Sequence, residues 1–389
     1  MSSAFLQGEA ISRNVFIRPP KEFREEGCVW KLKKPLYGLN DAPRSWYNKV
    51  KKEMLSLGAM KSKYDDALFI WHNENGLYGL LASHVDDFTF GGADEFMNNV
   101  IGVFMKKFQI SSHAISSFQY IGLNVRQSPS GITVDQCEYI KTIEPVKIAP
   151  TKDKENVLDS TERGDLKRLA GQMIWVTSQT RPDVAFETCV MSNGKNPTVR
   201  KALEANKALS KMKSDRVRLL FPQLGDYTRW SVLLYSDATH ASLEEGASQG
   251  AFIVFVKGAG KLAPISWSSK KLKRVTKSPL ASEALALGEG ADVSYLVACK
   301  LKEIFGLEDR PNIQALTDSR SLRDAIHTSN SVEDKRLLVE ISRLREMVSE
   351  NEISVDWVDK TRQLADPLTK RSASTKLLLQ VLSDGHSPV

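Results

Sequence analysis

Two adjacent carboxylates, Asp86 and Asp87, stand between the apolar runs Leu80-Leu81-Ala82-Ser83-His84-Val85 and Phe88-Thr89-Phe90, with Gly91 and Gly92 closing the second run. Carboxylate oxygens held at a turn can gather a divalent cation. The pattern predicts a hairpin, one run rising as a strand, the acids at the tight turn and the second run returning antiparallel. Tyr64-Asp65-Asp66 offers a comparison within the chain. It follows the polar Lys61-Ser62-Lys63 and precedes a single apolar run, so it lacks the first strand of a hairpin and reads as a loop before a strand. A second set of acids, Asp237, Glu283, Asp318 and Asp366, is spread over separate segments. Four carboxylates from separate elements can converge on two Mg2+ ions about 4 Å apart, one activating water and the other stabilising a leaving 3'-oxygen. Single acids on strand ends or helices are ordinarily surface residues, so the elements that carry them decide between the two readings.

Those elements follow from periodicity. Trp230 to Tyr235 predicts a strand running toward Asp237, Gly250 to Val256 and Ala263 to Ser268 predict two more, and their short connections favour antiparallel pairing. Ser278-Pro279 opens a helix with an N-cap and a first-turn proline, its apolar stripe being Leu280, Ala284, Leu287 and Ala291, beside Glu283. Asn312 to Thr317 predicts a buried strand ending at Asp318, followed by a short helix through Ile326. A further helix is expected from Ser331, with Asp334 three residues on and Leu337, Leu338, Ile341, Leu344 and Val348 inward. Glu352 to Val358 predicts the last strand, and Asp366 is expected at the start of a final helix. Three antiparallel strands, then helix, strand, helix, strand and helix, is the order of the ribonuclease H fold. Upstream, Ala149 to Asn156 reads as a polar connector. From Asp165 the spacing of Leu166, Leu169, Met173 and Val176 predicts one helix, and Ala202, Ala205, Leu209 and Met212 predict another over about Val199 to Met212.

The order of several segments is distinctive. Ala4-Phe5-Leu6-Gln7-Gly8 comes first, then Phe16-Ile17-Arg18-Pro19-Pro20, Val29 to Leu39 with Pro35-Leu36-Tyr37-Gly38-Leu39, and Trp46-Tyr47; the Asp86-Asp87 box follows, then Tyr120-Ile121-Gly122-Leu123, Gly131 to Ile140, Leu169 to Trp175 and Thr180-Arg181-Pro182-Asp183. Over nearly the whole chain this succession resembles the reverse transcriptase and ribonuclease H region of a copia-type retrotransposon Pol polyprotein. The resemblance implies that Asp86 and Asp87 belong to an x-Val-Asp-Asp box binding two Mg2+ ions at a primer end, with His84 where Tyr is usual. It makes Phe5, Tyr37 and Gly38 substrate-binding residues, Phe5 as a steric gate against a ribose 2'-hydroxyl. The family's third polymerase carboxylate lies four residues before Ala4, one residue ahead of Met1, and the fingers region would precede it. Met1 then reads as an internal codon, and little or no polymerase activity is expected of this chain alone.

For the second set of acids the resemblance implies a nuclease site in which Asp237, Glu283, Asp318 and Asp366 are both catalytic residues and metal ligands, for Mg2+ or alternatively Mn2+, with an RNA/DNA hybrid or template-primer as partner. Tyr235-Ser236-Asp237-Ala238, Thr317-Asp318-Ser319 and Gln363 to Lys370 follow the family pattern. Thr239-His240, Ala281, Ser319 and Trp357 depart from it without removing a ligand.

An α+β to α/β multidomain chain is expected: a truncated reverse transcriptase palm and thumb over 1–148, a helical connection over 149–225, a ribonuclease H-like domain with a mixed five-stranded sheet over 226–375, and a tail over 376–389. The 54 Lys and Arg against 47 Asp and Glu give +7, a weak vote for a phosphate-bearing partner. The basic runs Lys49 to Lys52, Lys207 to Arg218 and Lys270 to Lys277 read as solvated faces. Four dispersed cysteines, Cys28, Cys137, Cys189 and Cys299, read as reduced thiols rather than a disulfide framework. No apolar stretch approaches the roughly 20 residues that span a bilayer, so an intracellular protein, cytoplasmic or nuclear, is expected. Oligomeric state is left open. The apolar face of Phe69, Ile70, Leu80, Leu81, Phe88 and Phe90 is expected to lack part of its cover. Two other functions stay open: a non-catalytic nucleic-acid-binding remnant, and a structural subunit beside a full-length polymerase.

Overall fold

The computed structural model describes residues 4–388 apart from Ser12, Gln109, Ser111, Ser112, Asn193, Lys195, Ser329, Asn330, Ser331 and Glu333. The chain divides into two units, Met1–Ile115 with Glu303–Gly306, and Ser116–Lys302 with Leu307–Val389.

In the first unit, helix α1 (Ala42–Ser56) carries a proline in its first turn and buries Trp46, Val50 and Met54 at helical spacing. Strands β1 (Met60–Lys61), β2 (Leu68–Asn73), β3 (Gly76–His84) and β4 (Asp87–Gly92) form an antiparallel sheet in that order. Two sequence expectations need correction. Tyr64-Asp65-Asp66 does follow a strand, since Met60 pairs with Ile70 and Lys61 with Phe69. A two-residue strand leaves too short a pattern to detect by alternation. Its acids are structural: Asp65 accepts from the Ala67 N–H at 3.1 Å, and Asp66 pairs with Lys61. The apolar face is also better covered than expected. Phe69, Ile70 and Leu81 are fully buried, and Phe69 and Leu81 pack with α1 and with Phe96, Val100 and Phe104 of the following helical run. Neighbouring residues of a strand point to opposite faces, so Phe69 and Ile70 could not have shared the single face assigned to them.

The second unit begins with strands β5 (Ser117–Tyr120), β6 (Leu123–Ser128) and β7 (Gly131–Asp135), completed by β8 (Leu219–Pro222), which pairs with β7. Between β7 and β8 lie α2 (Ser160–Gln179), α3 (Ala185–Ser192) and α4 (Val199–Ser214). Helix α2 starts five residues before the predicted Asp165. Asp159 caps it, accepting from the Glu162 N–H at 3.0 Å, while the Glu162 carboxylate accepts from the Asp159 N–H at 3.0 Å. The predicted stripes are buried in one core: Leu166, Leu169, Met173 and Val176 with Ala202, Ala205, Leu209 and Met212. At the helix junction a fully buried Arg181 binds Asp183 at 2.8 and 2.9 Å and donates to the carbonyl oxygens of Met212 and Asp215 at 2.7 and 2.9 Å.

Next comes a five-stranded mixed sheet. Strands β9 (Ser231–Thr239), β10 (Gln249–Gly258) and β11 (Lys261–Lys271) run antiparallel, and β12 (Ile313–Thr317) and β13 (Ser354–Trp357) add on parallel to β9, giving the order β11-β10-β9-β12-β13. Helix α5 (Pro279–Phe305) makes the crossover to β12, α6 (Arg320–His327) and α7 (Lys335–Ser349) the crossover to β13, and α8 (Lys376–Asp384) follows. This is the ribonuclease H-like architecture read from the element order. Central β9 sorts its side chains by alternation. Val232 and Leu234 enter a core with α5, α6 and α7, whereas Leu233 and Tyr235 enter a second core with Leu364, Leu368 and α8. Gly290 lets α5 lie close to the sheet, since a Cβ there would stand 2.7 Å from Leu234 Cδ1.

Three boundaries differ from expectation. Ser331 lies outside the described residues, and α7 is capped by Asp334, which accepts from the Arg336 and Leu337 N–H groups at 2.8 and 3.3 Å. Asp366 begins a 3-10 turn, Asp366–Leu368, rather than the final α-helix, because Pro367 and the packing of Leu368 favour a tight turn there. The stretch read as a tail contains α8, with Leu378, Val381 and Leu382 buried.

Candidate active site

Ser236 of β9 pairs with Thr317 of β12 in parallel register, so the next residues of the two strands, Asp237 and Asp318, emerge side by side. The third acid arrives on the 363–369 segment, which is pinned across the end of β9. Buried Gln363 donates to the Ser236 carbonyl at 3.0 Å and accepts from the Ala365 N–H at 3.1 Å, and Ser269 Oγ donates to the Leu368 carbonyl at 2.6 Å. The result is a cluster in which Asp237, Asp318 and Asp366 each offer a carboxylate oxygen, all within 4.8 Å of one another. Asp237 is buried, at 1% exposure; Asp318 and Asp366 are partly open.

Glu283, in the first turns of α5, completes the sequence-derived set. It stands outside the three-acid group, yet close enough that Asp237 and Asp318 act on it electrostatically. Burial first, and those two charges second, push its carboxyl up to about 9, against a hydrogen bond accepted from the Ala238 N–H. Burial also pushes Asp237 up to about 6, opposed by Lys370 and by a hydrogen bond from the Thr369 hydroxyl. The neighbouring acids add to the effect of burial, since two like charges 4 Å apart repel by about 4 kcal/mol at an effective dielectric near 20. Such a group needs either protons or cations.

The donor set fits a hard divalent cation. All four ligand candidates are carboxylates, the chemistry that suits Mg2+ or Mn2+ over softer metals. Glu283 Oε2 is buried without a hydrogen-bond partner, an acceptor left for a ligand outside the protein chain.

Sequence reasoning gave no role to several residues around these acids. Thr369 donates its hydroxyl to Asp237 Oδ2, and Lys370 pairs with Asp366 and lies 3.4 Å from Asp237 Oδ2. The only signal for them was their place beside Asp366 in the Gln363 to Lys370 segment. Trp357, partly exposed, donates its indole N–H to the Asp318 carbonyl at 3.1 Å, and the Arg320 guanidinium lies 4.6 Å over its ring. His240 Nδ1 lies 3.2 Å from Thr276 Oγ1 and 3.3 Å from Ser282 Oγ, one residue from Glu283.

In the first unit, the predicted hairpin forms. His84 pairs with Asp87 across a two-residue turn of Val85 and Asp86, with Val85 at φ +57° and its carbonyl held by Trp46 Nε1 at 2.5 Å. Asp87 is exposed and Asp86 partly so. No third metal-binding side chain joins them among the described residues, where the aspartate cluster of the second unit is the single such group of three. Phe5 and Tyr37 do come together, ring centroids 4.5 Å apart, beside Gly38 at φ +96°.

Strand order and the converging acids define a ribonuclease H-like domain in the second unit. Residues 1–154 match the family described as reverse transcriptase (RNA-dependent DNA polymerase). Over 96% of its length the chain is 25% identical to the retrovirus-related Pol polyprotein from transposon RE1 of Arabidopsis thaliana, and over 95% it is 25% identical to that from transposon TNT 1-94 of Nicotiana tabacum. Over most of its length the chain is thus similar to retrotransposon Pol polyproteins, and its N-terminal 154 residues match the reverse transcriptase family. It spans 26% and 29% of those two relatives. Among solved structures it is similar to RNase H1 from Halobacterium salinarum NRC-1, at 18% identity and TM-score 0.28 over 38% of this chain and 97% of that one. It is also similar to LC11-RNase H1 in complex with RNA/DNA hybrid, at 12% identity and TM-score 0.28 over 38% of this chain and 99% of that one. No helix among the described residues is long and apolar enough to cross a membrane.

Proposed function

We propose that the second unit is a Mg2+-dependent ribonuclease H that hydrolyses the RNA strand of RNA/DNA hybrids. The convergence of Asp237, Asp318 and Asp366 within 4.8 Å, drawn from three separated elements, carries this reading. Asp237, Glu283, Asp318 and Asp366 would hold the metal, with Mn2+ as a substitute. Two Mg2+ ions held there would supply an activated water and neutralise charge on the scissile phosphate and the leaving oxygen. The chain's own part is positional. Parallel pairing of β9 and β12 sets Asp237 beside Asp318, the pinned 363–369 segment brings Asp366 to them, and half-buried Glu283 offers its buried Oε2 as an acceptor. Asp318 and Asp366 are the partly exposed members of the cluster, so a phosphodiester would approach from their side. A hybrid would be recognised through its phosphates and RNA 2'-hydroxyls, by shape more than by base sequence. In-line attack by water leaves a 5'-phosphate and a 3'-hydroxyl.

For these 389 residues taken alone we propose no polymerase chemistry. Asp86 and Asp87 offer two carboxylates at an exposed turn, and the described residues bring no third beside them. Hybrid cleavage and primer extension, run side by side on the purified chain with Mg2+, test both parts. Cleavage without extension is expected. Extension would overturn the second part, and a folded sample that binds hybrid in a salt-dependent way without cutting it in Mg2+ or Mn2+ would replace the first with a binding remnant. Extension appearing only with a full-length polymerase would favour the structural-subunit alternative.

A further inference from the structure

Lys370 follows Asp366 by four residues and turns back on it. The 3-10 turn Asp366–Leu368 is anchored by buried Pro367 and Leu368, and the Thr369 N–H donates to the Asp366 carbonyl at 3.1 Å. The turn that presents Asp366 therefore presents Lys370 as well. Its ammonium is in hydrogen-bond contact with Asp366 Oδ1 and stands 3.4 Å from Asp237 Oδ2, with a side chain only 29% exposed. Two of the three clustered aspartates thus share one internal cation. Both belong to the group of three whose carboxylate oxygens a divalent ion would use. An ammonium donates hydrogen bonds to carboxylate lone pairs and a metal ion coordinates them, so one lone pair cannot serve both.

We propose that Lys370 is a built-in counter-cation that holds the acidic cluster together in the metal-free protein and competes with the divalent ion for Asp237 and Asp366. The inference rests on reading the cluster as a metal site. It turns metal entry into an exchange of one cation for another, so the affinity of the site is set by Lys370 as well as by the ligands. Displaced from its two partners, the lysine remains within one side-chain length of the site. Two effects of opposite sign follow. Removing the charge tightens metal binding, because nothing has to be displaced, and loosens the metal-free fold, because the acids lose their counter-charge. A lysine with a purely structural role would give the second effect without the first.

The test compares the full chain with its Lys370→Met, Lys370→Gln and Lys370→Arg variants by calorimetric titration with Mn2+ and by thermal unfolding in EDTA. In the two neutral variants the Mn2+ dissociation constant is expected to fall by about tenfold, the effect of removing one close competing positive charge. Their midpoint in EDTA is expected to drop, and the rise on adding Mn2+ to exceed that of the parent chain. The Arg variant keeps the cation and is expected to stay near the parent in both. Unchanged or weaker Mn2+ binding in the neutral variants would overturn the competition. If those variants fold only with Mn2+ present, chelator titration of the loaded protein reads the same affinity. Absence of Mn2+ binding by every protein, parent included, would instead remove the metal-site reading and the competition with it.

Discussion

Glu283 is the residue on which protonation and metal binding meet. Its carboxyl is pushed from an ordinary 4.5 up to about 9 by burial and by Asp237 and Asp318, and that of Asp237 from 3.8 up to about 6 by burial foremost. Over the window from about 4 to 9 the folded chain therefore holds more protons than the unfolded chain, and the stability of the metal-free protein falls as pH rises. Glu283→Gln removes that ionisation while keeping the shape. In EDTA it is expected to raise the unfolding midpoint at pH 8.5 and to leave it nearly unchanged at pH 5, each kcal/mol gained being worth roughly 2–4 °C. Calorimetry at both pH values checks this, and a variant no more stable than the parent at pH 8.5 would count against an acid held protonated by its surroundings. The same substitution removes a proposed ligand, so hybrid cleavage is expected to fall although stability rises. Thr369→Val tests a neighbouring contact. It deletes the hydroxyl that donates to Asp237 and should cost about 1–3 kcal/mol, as hydrogen bonds to buried charged groups do; urea unfolding at pH 7 reads the loss.

At the scale of elements, the site depends on how one loop is fastened. Gln363 ties the 363–369 segment to β9 through the Ser236 carbonyl and braces the segment's own Ala365 N–H. Gln363→Ala is expected to cost about 1–3 kcal/mol, since it strands a buried donor and acceptor, and to weaken metal binding by loosening Asp366. Equal Mn2+ affinity in variant and parent would separate the fastening from the site. Arg181 has the corresponding place among the helices. Arg181→Ala leaves Asp183 as a buried, uncompensated charge and frees the carbonyls of Met212 and Asp215, a loss expected near 3–5 kcal/mol by denaturant unfolding.

These elements also show why some of the molecule could be read in advance. The strands β9 to β12 and the stripe of α5 carry strong periodicity, so their order, and the positions of Asp237, Glu283 and Asp318 on them, follow from apolar spacing alone. Asp366 is expected at a helix start from the element order, and propensity does not distinguish a 3-10 turn from a first helical turn. Strand β1 is two residues long and has no alternation to detect. Thr369 and Lys370 escaped because their meaning lies in a contact with Asp237 more than a hundred residues away, which local pattern does not encode. Ion pairing bears on the basic run Lys270 to Lys277 similarly: Lys270, Arg274 and Lys277 face Glu289, Glu340 and Asp334, distant in sequence.

At the scale of the whole chain, a segment that matches the reverse transcriptase family and a ribonuclease H-like domain occur on one polypeptide, each with carboxylates but only one with a three-acid cluster among the described residues. Divalent metal should accordingly stabilise the second unit selectively. A ligand at a hundred times its dissociation constant adds about 2.7 kcal/mol, so scanning calorimetry with Mg2+ is expected to raise one transition more than any other. The most direct measurement is Mg2+-dependent cleavage of an end-labelled RNA/DNA hybrid by the full chain and by its Asp318→Asn variant, with circular dichroism confirming that both are folded. Outer-shell partners of metal ligands are already worth about 10–100-fold in activity, so a direct ligand should cost at least about a hundredfold. Cleavage by the parent chain, lost to that extent in Asp318→Asn, is the expected result; equal cleavage by the two proteins, or none by a folded parent, would contradict a nuclease centred on Asp237, Asp318 and Asp366.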